Sequence, residues 1–169
     1  TTGLLFANLE KELQTQFILA ASGDTITIPK GHHKIQGTLS IEGKENLVIQ
    51  GVGMDVSILS FSNQSEGAQG ISITNSKKIT LEEFTIQDSK GDAIKAQYTD
   101  GIIFRHVKVE WTGGPKETNG AYGLYPVQCE NVLIEHSISI GASDAGIYVG
   151  QSNNIVVRYN EAFENVAGI

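Results

Sequence analysis

Apolar and polar side chains alternate over short stretches of the chain, and these stretches return at a regular interval. Ile79 and Leu81 are separated by one residue, as are Ile102 and Phe104. This period of two is typical of a β-strand with one buried face. A small residue followed by an aliphatic one marks each repeat, at spacings of 23, 30, 23 and 22 residues. The pairs are Gly70-Ile71, Ala93-Ile94, Gly123-Leu124, Gly146-Ile147 and Gly168-Ile169.

A second landmark, the aliphatic residue that opens the next strand, gives the same interval. Its spacings are 23, 30 and 23 residues, at Ile79, Ile102, Val132 and Ile155. No repeat shows the helical pattern that a leucine-rich or helical solenoid needs. The two markers predict stacked coils of about 22 residues, each with three short strands about 4.8 Å from the next coil. We therefore expect an all-β fold, a right-handed parallel β-helix, with one domain over residues 1–169 and coils over residues 24–169.

The single long spacing predicts an insertion at residues 111–121. Gly113-Gly114-Pro115 and Asn119-Gly120 lie in this segment and are typical of turns. We therefore expect a surface loop between two coils.

Aligning the repeats predicts columns of equivalent side chains. Two inward columns are Ile71, Ile94, Leu124, Ile147 and Leu81, Phe104, Ile134, Val157. Each buried aliphatic side chain contributes about 1.5–3 kcal/mol, so these columns should dominate stability. An outward column alternates in charge: Glu82, Arg105, Glu135, Arg158.

Two further columns fall at predicted turns. The first is Glu83, His106, His136, Tyr159. We interpret its histidines as part of a solvated ladder rather than as a catalytic pair. The second contains Asn46, Asn131 and Asn154, which suit tight turns and can form a ladder between coils. The register of residues 136–140 is left open, because the apolar pair there is shifted by one position.

The N-terminal segment has a helical rather than a strand period. Its apolar positions are Phe6, Leu9, Leu13, Phe17 and Ala20. They predict a capping helix over residues 5–21 that covers the end of the solenoid. At the other end a new strand begins at Gly168-Ile169 without a cap. We expect either a β-helix that is incomplete at its C-terminus or end-to-end association through this open coil.

Composition narrows the range of partners. The 169 residues carry a net charge of -7, which disfavours nucleic acid and anionic lipid. No apolar run approaches the roughly 20 residues that span a bilayer. Cys129 is the single cysteine, so we predict neither an internal disulfide nor a cysteine-based metal site.

Three segments resemble a known superfamily. Residues 20–31 (AASGDTITIPKG) and 46–53 (NLVIQGVG) resemble the opening of pectate-lyase-like β-helix proteins. Residues 145–160 (AGIYVGQSNNIVVRYN) resemble repeats of carbohydrate-active β-helices, alginate epimerases and periplasmic accessory proteins. The resemblance implies a polysaccharide or oligosaccharide partner and an extracellular or periplasmic location in a bacterium.

In such proteins the sugar groove runs along the outward face of the first strand of each coil. Here that face carries Ser72, Lys95, Tyr125 and Tyr148. We assign catalysis to the last three, because lyase or epimerase chemistry needs a base and donors that neutralise a uronate. Substrate binding is expected from Ser72, Tyr122 and Trp111. The alternative is that exposed lysine and tyrosine are simply common on strands.

Metal chemistry is less clearly indicated. No metal-binding residues are assigned, although calcium is considered as a counter-charge for an acidic polymer. Asp92 and Asp144 could approach each other across coils, but a role in turns is the simpler interpretation.

Two functions are compatible with these residues. One is an exported carbohydrate-active protein that acts as a lyase or epimerase on uronate-containing polymers. The other is a non-catalytic binding or accessory scaffold.

The predicted register can be tested by reversing one charge. If Arg105 lies between Glu82 and Glu135 at the surface, Arg105→Glu should lower the free energy of unfolding by about 1 kcal/mol or less. Chemical denaturation measures this change. A loss of several kcal/mol would mean that Arg105 is buried and that the alignment is wrong.

Overall fold

The computed structural model describes the backbone of residues 2–169 and the side chains from Leu9 onward. A helix, α1 (Thr2–Leu19), precedes fifteen strands. The first five strands are β1 (Thr25–Thr27), β2 (Gly31–Lys34), β3 (Leu39–Glu42), β4 (Glu45–Gln50) and β5 (Ser57–Ser60). The next five are β6 (Ile71–Thr74), β7 (Lys77–Gln87), β8 (Ile94–Gln97), β9 (Asp100–Glu110) and β10 (Tyr122–Val127). The last five are β11 (Glu130–Glu135), β12 (Ile138–Ile140), β13 (Ala145–Ile147), β14 (Asn153–Arg158) and β15 (Glu161–Phe163).

These strands form two parallel sheets. The first, sheet A, has ten strands, and its main path runs β1-β4-β7-β9-β11-β14. The second, sheet B, has five strands in the order β13-β10-β8-β6-β3. Sheet B contributes one strand per coil, so the chain makes about five turns of a parallel β-solenoid. The predicted fold is confirmed.

Both inward columns have the predicted register. Ile94 pairs with Ile71 and Leu124, and Phe104 pairs with Leu81 and Ile134. These six side chains are buried in one continuous core. The 23-residue repeat therefore reflects physical stacking of like side chains.

The alternating charges form a ladder of ion pairs on the surface of sheet A. Arg105 Nε lies 2.8 Å from a Glu135 carboxylate oxygen, and its Nη1 lies 3.7 Å from Glu82. Arg158 contacts the other Glu135 oxygen at 2.8 Å. These hydrogen bonds from two guanidinium groups lower the pKa of Glu135. Only 8% of the Glu135 side chain is exposed, so the arginines also shield it from water.

The neighbouring column lies at the bend that divides the sheet A part of each coil into two strand segments. All four residues have left-handed backbone conformations, with φ values of 62°, 49°, 51° and 56° for Glu83, His106, His136 and Tyr159. His106 Nδ1 lies 2.7 Å from a Glu83 oxygen, and the His106 and His136 ring centroids are 5.3 Å apart. The histidines therefore belong to a ladder at a turn.

The asparagine column also lies at a turn. Asn46, Asn131 and Asn154 have φ values of 56°, 54° and 54°. Asn154 Nδ2 donates a hydrogen bond to Asn131 Oδ1, and Asn131 Nδ2 donates to Asp100 at 2.7 Å. Because asparagine tolerates this conformation and can bond to its neighbour, it suits the position.

The structure resolves the open register of residues 136–140. Ser139 pairs with Val109 and is buried, whereas Ile138 and Ile140 are half-buried. Ser137 is also buried, and its hydroxyl donates to the Glu135 carbonyl. The apolar pair therefore points outward in this coil, and serines take the inward positions.

Helix α1 covers the first coil as expected, but it ends at Leu19 rather than at residue 21. Leu13 and Phe17 are buried in the core, whereas the Phe6 side chain lies outside the described residues. Polar residues of the helix also close the edge of β3. Gln14 accepts a hydrogen bond from the Ser40 N–H at 2.8 Å and donates to the Ser40 carbonyl at 3.0 Å. An unpaired strand edge is thereby protected.

Close contact between coils makes one glycine sensitive to substitution. A Cβ atom at Gly123 would meet Ser139 Oγ and the Gly146 carbonyl oxygen below contact distance. We expect Gly123→Ala to lower the free energy of unfolding by about 1–3 kcal/mol, measured by chemical denaturation. Gly168→Ala is the matched control, because the nearest atom to its added Cβ is 3.9 Å away. Equal effects of the two substitutions would contradict the packing argument.

Candidate functional site

Three tyrosine rings lie together on the outside of sheet B. Tyr122 and Tyr125 belong to β10, and Tyr148 directly follows β13 in the next coil. The ring centroids are 4.5 Å apart for Tyr122 and Tyr125, 4.9 Å for Tyr122 and Tyr148, and 5.4 Å for Tyr125 and Tyr148. Tyr148 keeps 43% of its surface exposed. We call these three residues the tyrosine face.

Lys95 lies at one side of this face. It pairs with Tyr125 across β8 and β10, and its Nζ is 5.4 Å from the centroid of the Tyr125 ring. This distance permits a cation–π interaction. Ser72 pairs with Lys95 on the other side, one coil farther from the tyrosines. The predicted column therefore exists, with Ser72 at its margin.

Two carboxylates lie on opposite sides of Tyr122. The Tyr122 N–H donates to Asp92 Oδ1 at 3.2 Å, from the preceding coil. Asp144, from the following coil, is exposed, and its N–H donates to the carbonyl of Ala121, the residue before Tyr122, at 3.1 Å. Burial raises the pKa of Asp92, although the Tyr122 N–H and the charge of Lys95 partly oppose this effect. The pair that we interpreted as turn residues thus borders the tyrosine face.

The environment keeps two of the phenols neutral. Burial raises the pKa of Tyr122 above its ordinary value, and the charge of Asp144 raises it further. Burial and the charge of Asp92 raise the pKa of Tyr125. At neutral pH these hydroxyls are therefore hydrogen-bond donors rather than bases.

Trp111 does not lie on the tyrosine face, and its position does not fit the contact with a sugar ring that we expected. It is only 5% exposed, and its indole N–H donates to the Ser89 carbonyl at 2.8 Å. A ring buried in this way offers no face to a ligand. Trp111 instead anchors the start of the 111–121 segment, which connects β9 to β10.

This segment also forms one wall of a cleft of about 340 Å³. Its polar lining residues include Lys116 and Glu117 from the segment, with Ser143 and Glu164 from later in the chain. Ser143 directly precedes Asp144 in the sequence.

Comparison with known proteins identifies the family. A family model described as the right-handed β-helix region matches residues 20–169. The chain belongs to this family. The resemblance noted from the sequence segments is thereby confirmed.

One solved structure is similar along most of its length. It is a crystal structure of a candidate glycosyl hydrolase from Parabacteroides merdae, at 10% identity and a TM-score of 0.49. The match covers 89% of this chain and 85% of that chain. No curated protein sequence matches this one.

A groove of about 530 Å³ on sheet A was not predicted. Its floor is a row of outward side chains, one per strand: Val48, Thr80, Ile103, Leu133 and Val156. Three consecutive apolar residues, as in Val132-Leu133-Ile134, are the sequence signal for it. We favour the tyrosine face as the functional site, because aromatic rings and carboxylates converge there, whereas the groove floor is aliphatic.

Two findings concern possible ions and membranes. Among the residues described, no three His, Cys, Asp or Glu side chains are grouped so that they could bind a metal. In the same part of the chain, no helix has the length and apolar character required to span a membrane.

The raised tyrosine pKa values can be measured directly. In an NMR titration of the ring carbon signals, Tyr122 and Tyr125 should ionise above the ordinary value of 10.0. Because folding holds the phenols neutral, their contribution to stability is present below that pH and is lost as the pH rises through the folded pKa.

The substitution Asp144→Asn tests whether the charge of Asp144 contributes to the raised pKa of Tyr122. This substitution should lower the pKa of Tyr122, since it removes a nearby negative charge, and leave that of Tyr125 unchanged. Ionisation of both tyrosines as in the denatured chain would contradict the described packing.

Proposed function

We propose that the tyrosine face is a carbohydrate-binding site and that the β-helix is the rigid scaffold that presents it. The observation that carries this proposal is the contact of three tyrosine rings in adjacent coils. Aromatic rings provide broad apolar surfaces against which the C–H faces of sugar rings can pack. A rigid ring also loses little conformational entropy on binding, since it has only two side-chain torsions.

Polar groups around the rings supply the hydrogen bonds that a sugar needs. Asp92 and Asp144 can accept from sugar hydroxyls, and the neutral hydroxyls of Tyr122 and Tyr125 can donate. Lys95 adds a further donor next to Tyr125. A broad apolar surface with a few fixed polar groups is typical of small-ligand sites.

Lyase or epimerase chemistry on a uronate polymer is the second candidate. Lys95 supports it, because its ammonium group could neutralise a carboxylate. A proton must then be removed from the sugar C5 position. The raised pKa of Tyr125 keeps its hydroxyl protonated at neutral pH, so it can donate a hydrogen bond but does not offer the base that this step needs. We therefore favour binding without catalysis. We also propose that the protein is exported to the compartment in which such polymers occur.

Ultraviolet absorbance distinguishes the two candidates. Incubation with alginate or pectate should give no unsaturated product, with or without added calcium. An absorbance increase that Lys95→Ala abolishes would establish a lyase. NMR of the recovered polymer would detect epimerisation, which leaves the absorbance unchanged.

Binding should depend on Tyr125 and Tyr148. We expect Tyr125→Ala and Tyr148→Ala to retain the circular dichroism spectrum and to weaken oligosaccharide binding about tenfold. Tyr159→Ala is the matched control, because Tyr159 is exposed on the other sheet. Ligand-induced NMR shifts that cluster around Arg105, His136 and Arg158 would contradict the proposal.

A further inference from the structure

The acidic side of the tyrosine face indicates which saccharides it would accept. Asp144 is exposed, is held next to Tyr122 by the hydrogen bond from its N–H to the Ala121 carbonyl, and is in no ion pair among the described residues. Its carboxylate therefore remains available to a ligand. The Tyr122 ring stacks on Tyr148 at 4.9 Å, so this carboxylate adjoins an exposed aromatic surface.

The positively charged side chain of Lys95 lies on the other side of the tyrosine face. The Lys95 ammonium is 5.4 Å from the Tyr125 ring centroid, and its charge acts on Asp92. Aromatic rings with a nearby carboxylate favour organic ammonium groups through the ring quadrupole and through charge-assisted hydrogen bonds. The Tyr148, Tyr122 and Asp144 side offers the same combination, and no cation of the described residues is paired with Asp144 there.

The other charges of the protein also favour a cationic ligand over an anionic one. In the cleft lined by the 111–121 segment, which also contains Ser143, Lys116 is accompanied by Glu117 and Glu164. The whole chain carries a net charge of -7. A polyanion such as a uronate polymer is repelled by this distribution, and a polycation is attracted.

We infer that the tyrosine face selects saccharides that bear amino groups, with the sugar ammonium held between Asp144 and the Tyr148 ring. This inference rests on the proposed carbohydrate-binding function and adds the class of sugar. It assigns selectivity to Asp144 and general sugar contact to the tyrosines. The two contributions can be separated by substitution.

The experiment compares oligosaccharides of equal length by calorimetry and NMR: glucosamine, N-acetylglucosamine and galacturonate oligomers. At about pH 6, below the pKa of an aliphatic amine, the glucosamine oligomer should bind about tenfold more tightly than its acetylated form. Galacturonate should bind most weakly. The preference should shrink as salt is added, because exposed charges are screened.

Substitutions identify the source of the preference. Asp144→Asn should reduce the tenfold preference to about twofold or less, because it weakens the amino oligomer far more than the acetylated one, and Asp144→Glu should restore part of the preference. Asp100→Asn, on sheet A, is the matched control and should leave all affinities unchanged. Tyr148→Ala should weaken the amino and acetylated oligomers together.

The possible failures are distinguishable. Equal binding of the amino and acetylated oligomers at the tyrosines, or a preference that survives in Asp144→Asn, would overturn the inference and leave carbohydrate binding intact. If none of the oligomers shifts the signals of Tyr125 or Tyr148, both proposals fail.

Discussion

Parallel backbone hydrogen bonds join equivalent residues of successive coils, and the other features of this protein depend on that register. Strands β7 and β9 are eleven residues long each, and they pair in register from Lys77 with Asp100 to Gln87 with Glu110. Once these bonds form, each side chain lies directly above its equivalent in the previous coil. Like side chains then stack in the core, and each buried aliphatic contributes about 1.5–3 kcal/mol.

The same register determines what the surface can present. At a turn column it brings Glu83, His106 and His136 into contact, so that polar groups satisfy one another without forming a site. On sheet B it places Tyr125 above Lys95 and beside Tyr148. A functional surface arises here because residues of different chemistry fall in one column and leave an exposed aromatic face.

Departures from the repeat give the site its polarity. Because the 111–121 segment is inserted between them, Asp92 and Tyr122 are 30 residues apart in the sequence. In the structure the Tyr122 N–H nevertheless donates a hydrogen bond to the Asp92 carboxylate. In the next coil the Asp144 N–H donates to the carbonyl of Ala121, the residue before the same tyrosine. Carboxylates therefore lie in the coils before and after Tyr122, and this acidic border is the physical reason to expect amino sugars rather than uronates at the face.

The sequence by itself determined the coil period, the inward columns and the Lys95, Tyr125 and Tyr148 column. It could do so because stacking repeats one register, so that spacing along the chain translates directly into height along the solenoid. Only the tertiary structure decided the features that depend on contacts outside that repeat. Trp111 became part of the core, Ser139 turned inward, and Gln14 closed the edge of β3. Each of these depends on the shape of the space left by neighbouring coils, which no periodic pattern records.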